Sequence, residues 1–182
     1  MTDSIRVALL RGINVGRAKR IVMADLKALV EGLGYDRVST ALNSGNVIFT
    51  VGPKAKGDPA ARIEKAIRDQ LDVVARVTVL TAAELAHMMI ENPLTGLADD
   101  LSRLLAVVPA TPDDHAKLAM VTKTDWAPDA FALGVRVAYL WCPQGVTESR
   151  LATVILGSRL FGDGVTTRNW ATMTKLHALT RT

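Results

Sequence analysis

Cysteine is all but missing: Cys142 stands alone in 182 residues. A single thiol excludes an intrachain disulfide and a cysteine-built zinc cluster, and it fits a reducing compartment, so a cytoplasmic location is expected. Between Trp141 and Pro143 at a strand end, it reads as a buried, inert thiol. Histidine is nearly as scarce. His87, His115 and His177 fall on three different expected helices with no shared i, i+4 face, so no metal site is expected. Aromatic residues amount to 4% of the chain, with none in Ile5–Leu10 and only Phe49 in Val47–Val51, which disfavours base stacking of the RNA-recognition type. Long apolar runs are absent too. Stretches such as Val137–Cys142 fall far short of the roughly 18 residues of a membrane-spanning helix, and Met1–Arg6 lacks the apolar region of a secretory signal. A soluble protein without membrane association is expected.

What is present is ordinary globular material. Apolar residues make up 49% and charged residues 22%, enough for a packed core throughout, and the length suits one large domain or two compact ones. A formal charge of +4 and a pI near 9.5 favour polyanionic partners in general terms only.

The order of elements carries more. Ile5–Leu10 has the length and composition of a buried strand. Met23, Leu26, Leu29, Val30 and Leu33 recur at helical spacing, with Gly34 placed to end that helix in a left-handed conformation. Val38–Leu42 and Val47–Val51 flank Asn43-Ser44-Gly45-Asn46, a hairpin turn. Asp58-Pro59 opens a helix through Leu71, Ala75–Leu80 is a fourth strand, and Thr81 with Glu84 forms a capping box for the next helix. Strand, helix, strand, strand, helix, strand is the ferredoxin-like order.

That order recurs. Leu104–Val108, a helix capped by Thr111-Pro112, paired strands at Phe131–Gly134 and Val135–Cys142, a helix over Ser149–Phe161, a strand at Val165–Arg168 and a closing helix from Trp170 repeat the scheme. The expected fold is therefore α+β, built from two ferredoxin-like βαββαβ halves spanning 1–96 and 97–182, each an antiparallel sheet with helices packed on one face.

Polar residues gather in two places. Arg11–Arg20 holds four cations and no acid ahead of a helix start, with glycines that let backbone approach a ligand and arginines whose forks fit phosphate or carboxylate. Its glycine spacing matches neither the Walker phosphate loop nor the dinucleotide fingerprint. Because the first and second strands of a ferredoxin-like sheet run parallel, this loop and the Asn43–Asn46 turn are expected at one sheet edge. Thr166-Thr167-Arg168-Asn169-Trp170, followed by Lys175, is the second cluster. In its plainer reading Asn169 or Thr167 caps a helix, Trp170 anchors it and Arg168 is solvated.

Leu9-Leu10-Arg11-Gly12-Ile13-Asn14-Val15-Gly16, Ser44-Gly45-Asn46 and Thr167-Arg168-Asn169-Trp170, in that order, resemble the motifs of the bacterial family DUF1697, a domain of unknown function, and Met23 and Leu26 fit its spacing. The sequence departs from the family pattern at Arg17 and Ala171. The resemblance covers nearly the whole chain. It implies paired ferredoxin-like halves and singles out Arg11, Gly12, Asn14, Gly16, Ser44, Gly45, Asn46, Arg168, Asn169, Trp170 and Lys175 as ligand-binding positions. It names no activity, cofactor or catalytic residue.

Three functional classes stay open. The first is binding of a phosphate-bearing or other anionic small molecule in a basic cleft between the halves. The second is an enzyme of unknown reaction on a phosphorylated metabolite, with Arg11, Arg168 and Lys175 as clamps. Ser44 has no histidine beside it in sequence to make it a nucleophile. The third is a structural module or one that touches a nucleic-acid backbone, with salt-sensitive affinity. A monomer or weak homodimer is expected.

Overall fold

The computed structural model describes residues 4–14, 20–53, 55–157 and 159–181. Within them the chain forms β1 (Ile5–Arg11), α1 (Met23–Gly32), β2 (Asp36–Ala41), β3 (Asn46–Thr50), α2 (Pro59–Leu71), β4 (Arg76–Thr81) and α3 (Ala82–Glu91). The second run is β5 (Leu104–Pro109), α4 (Pro112–Val121), β6 (Ala130–Leu133), β7 (Ala138–Trp141), α5 (Arg150–Leu156), β8 (Val165–Asn169) and α6 (Trp170–Thr180). The strands make two four-stranded sheets among the described residues, ordered β2-β3-β1-β4 and β6-β7-β5-β8, with antiparallel pairing between neighbours. Both orders place the first strand of a half between its third and fourth, so the fold is α+β with two similar ferredoxin-like halves.

The chain divides into two compact units, Met1–Ala83 with Ala178–Thr182, and Glu84–His177. Nearly all of α3 is thus grouped with the second unit. Tyr139 of β7 donates to Glu91 of α3 at 2.7 Å, and the Val135 amide donates to the same carboxylate at 3.1 Å.

Each unit has its own core. In the first, Ala8 and Leu10 of β1 and Val47 and Phe49 of β3 pack with Leu26, Leu29 and Val30 of α1 and Ile63, Ala66 and Ile67 of α2. The apolar positions of both helices sit three and four apart, which puts them on one face. Truncating a fully buried leucine such as Leu26 costs about 2–5 kcal/mol. In the second, Leu105 and Val107 of β5 and Ala138 and Leu140 of β7 pack with Leu118 and Val121 of α4 and Leu151, Ala152 and Ile155 of α5.

Local chemistry sets the ends. Asp58 accepts from the Ala60 and Ala61 amides and Pro59 fills the first turn of α2, while Thr111 accepts from the Asp114 amide ahead of α4. Gly34, at φ +82°, follows α1 in the left-handed region. The helix expected over Ser149–Phe161 is shorter: α5 stops at Leu156, because Gly157 is extended and Gly162 and Gly164 leave the next stretch poor in helix formers. Glu84, in the first turn of α3, accepts from Arg136 Nε at 3.2 Å.

Candidate functional site

The first polar cluster forms where β1 ends. The Leu10 amide donates to Gly45 O at 2.8 Å, so the strand runs directly against the β2–β3 turn. A Cβ on Gly45, at φ +74°, would lie 2.5 Å from Ile13 Cδ1 and 2.9 Å from Leu10 Cβ, and only glycine fits. Ile13 is buried beneath that turn, whereas Gly12 is exposed, with φ +83°.

Asn14 then ties three segments together. Its Oδ1 accepts from the Ile21 amide at 2.8 Å, and its Nδ2 donates to Ile21 O at 3.2 Å and to Asn43 O at 3.0 Å. With φ 56° it occupies the left-handed region that asparagine tolerates better than other non-glycine residues. The pair of bonds joins Asn14 to Ile21, next to the exposed Arg20 at the start of α1. Gly16, with Arg17 and Lys19, lies outside the described residues.

Helix α1 starts without a side-chain cap. Val22, in extended conformation, occupies the cap position and has no oxygen to offer the first-turn amides. A cavity of about 570 Å³ opens here, lined by Asn14, Arg20, Ile21, Val22, Met23, Ala24 and Asn43. One cation, two side-chain amides and an uncapped helix start therefore share a single hollow of the first unit. Asp25, in the first turn of α1, is the opposing charge.

The turn residues divide between surface and interior. Asn43 and Ser44 are exposed, but Asn46 is fully buried at the start of β3, donating to Ala41 O at 2.8 Å and to Ser44 Oγ at 3.0 Å. The turn proper spans residues 42–45, with Leu42 at φ 60° and Gly45 both left-handed. Asn46 thus holds the hairpin from within instead of lining a rim.

The second cluster lies in the second unit. Arg168 is 9% exposed, not solvated as its plainer reading had it. Its Nη1 donates to Thr166 Oγ1 at 3.1 Å and to Thr167 O at 2.8 Å, and burial lowers its pKa to about 10. Asn169 Oδ1 caps α6 by accepting from the Thr172 amide at 2.9 Å. Trp170 is buried edge-on to Tyr139, ring centroids 5.7 Å apart, and Lys175 is exposed on α6. Cys142 is buried, which pushes its thiol pKa up. Among the described residues no group of three or more His, Cys, Asp or Glu is placed to hold a metal ion.

The features that sequence reasoning passed over are the missing cap of α1 and the Asn14 staple. The first was visible as Val22 where Ser, Thr, Asp or Asn is usual.

A family model described as a protein of unknown function, DUF1697, matches residues 4–139. The chain belongs to the DUF1697 family. The matched span takes in Arg11, Asn14 and the Asn43–Asn46 turn, so the first cluster is wholly within the DUF1697 match. A solved structure, the conserved bacterial protein SP0830 from Streptococcus pneumoniae, is similar over 98% of this chain and 99% of that one, with a TM-score of 0.81 and 21% identity. At that identity the likeness speaks to fold. No curated protein matches. No helix among the described residues is long and apolar enough to cross a membrane.

Proposed function

We propose that this DUF1697 protein binds a phosphate-bearing or otherwise anionic small molecule in the hollow at the start of α1. The observation that carries the reading is the uncapped helix terminus inside that cavity, with Arg20 and Asn14 in its lining. First-turn amides without an acceptor attract negative charge, a neighbouring guanidinium adds a fork for oxygen pairs, and an asparagine amide orients without adding charge. A cavity of several hundred cubic ångströms suits a metabolite rather than a polymer. Binding without chemistry is preferred to catalysis because Ser44, the candidate nucleophile among the described residues of the cluster, sits in a hairpin turn with its Oγ accepting from Asn46.

The test is a thermal-shift and NMR titration with inorganic phosphate, pyrophosphate and a short oligonucleotide on wild type and on Arg20→Ala. Stabilisation by phosphate or pyrophosphate is expected, with amide shifts at Met23 and Ala24, and a loss of affinity of roughly tenfold in Arg20→Ala. No saturable shift with either anion overturns the reading. Binding of the oligonucleotide alone, weakening steeply with salt, transfers it to nucleic-acid backbone contact.

A further inference from the structure

The β6–β7 turn of the second unit is held from several sides. The Gly134 amide donates to Val137 O at 2.8 Å, the Val135 amide donates to Glu91 Oε2, and His115 Nε2 lies 2.9 Å from Gly134 O. Arg136 donates from Nη1 to Pro109 O at 2.8 Å and from Nε to Glu84 Oε1. A Cβ on Gly134 would lie 2.5 Å from Glu91 Oε1, so the carboxylate fills the space glycine leaves. Three elements, α3, β5 and α4, thus fix one short turn, and groups fixed in this way are pre-organised for a ligand.

Beside the turn is a cavity of about 310 Å³, lined by Ala110, Thr111, Pro112, His115, Val135 and Arg136. The polar capacity left over in that lining is limited and specific. A carbonyl oxygen only accepts, so His115 donates from Nε2, and the tautomer with its proton there presents Nδ1 as an acceptor. Arg136 uses Nε and Nη1 on the protein, leaving Nη2 as a donor. The Thr111 hydroxyl is taken up by Asp114, donating to Oδ2 at 2.6 Å and accepting from the amide. Ala110, Pro112 and Val135 supply apolar walls, and Val135 is 77% exposed although the turn carrying it is fixed.

Charge decides the ligand class. Glu84 neutralises Arg136, and Asp113 and Asp114 stand in the first turn of α4 with Lys117 paired to Asp114, so nothing here selects an anion. We propose that this cavity is a binding site for a small neutral heteroaromatic ring carrying a ring-nitrogen acceptor beside an amino donor. Arg136 Nη2 donates to the ring nitrogen, His115 Nδ1 accepts from the amino group, and the ring packs against Val135 and Pro112. The volume stands at the lower end of small-molecule sites and suits a mono- or bicyclic ring.

Adenine is the probe, with purine, which lacks the amino group, as control. Titration of wild type followed by the His115 ring and Val135 amide resonances is expected to saturate with adenine and to be roughly tenfold weaker with purine, as one lost hydrogen bond requires. Ala110→Leu, which fills the cavity without removing a polar group, is expected to abolish binding in a protein whose spectrum is otherwise folded. Absence of saturable shifts, equal affinity for purine, or unchanged binding in Ala110→Leu overturns the proposal. The wild-type comparison of the two probes decides even if a variant fails to fold.

Discussion

Gly45 carries more of the first unit's geometry than its size suggests, because its missing side chain admits Ile13 and Leu10. Gly45→Ala forces an L-residue into φ +74° and a methyl group to 2.5 Å from Ile13 Cδ1. A loss of about 2–4 kcal/mol is expected in urea unfolding, from strain and overpacking together. Gly34→Ala, at a similar φ with open space around it, is expected to lose only about 1 kcal/mol. Equal losses at the two glycines would contradict the packing account. At this scale the sequence was only partly legible: Arg168 reads as a surface charge and proves buried, and Asn46 reads as a turn residue and proves an interior staple. Burial of a polar side chain depends on partners distant in sequence or on backbone geometry that composition does not record.

The uncapped start of α1 matters at the level of the element. Val22 is 60% exposed, so replacing it disturbs no core. Val22→Asp supplies the absent cap and is expected to stabilise the free protein by about 1 kcal/mol in thermal or urea unfolding, while its carboxylate repels an anion and removes the phosphate response proposed above. Stabilisation together with an undiminished phosphate response would count against anion binding at this terminus. Elements were the most readable level of the sequence. The Asp58-Pro59 and Thr111-Pro112 starts, the α1 stripe and the hairpin, expected at residues 43–46 and found one residue earlier, all rest on short-range rules, and the sheet order follows from them. The end of α5 was missed because apolar residues continue to Phe161 past a glycine that breaks the backbone first.

For the whole molecule, the most testable energetic feature is Tyr139, fully buried and bonded to Glu91. Burial, with the adjoining carboxylate, raises its pKa far above the ordinary 10.0. The folded chain therefore keeps the phenol protonated at alkaline pH at which the unfolded chain releases the proton. The resulting stability is complete below pH 10.0 and falls as pH rises beyond it, by ~1.4 kcal/mol per pH unit. Tyr139→Phe is expected to be less stable at neutral pH by about 1–2 kcal/mol, with a shallower loss above pH 10.0, measured by urea unfolding across that range. Parallel profiles for the two proteins would refute the assignment.

The partition into units has a further consequence, for the order in which the chain is made. Residues 84–177 are contiguous, so everything the second unit needs leaves the ribosome in one stretch. The first unit is split, with residues 178–182 grouped with residues 1–83. Begun before the second unit during synthesis, it receives residues 178–182 only after that unit, and a nascent chain halted after residue 177 would hold all of the second unit's residues while the first still lacked these.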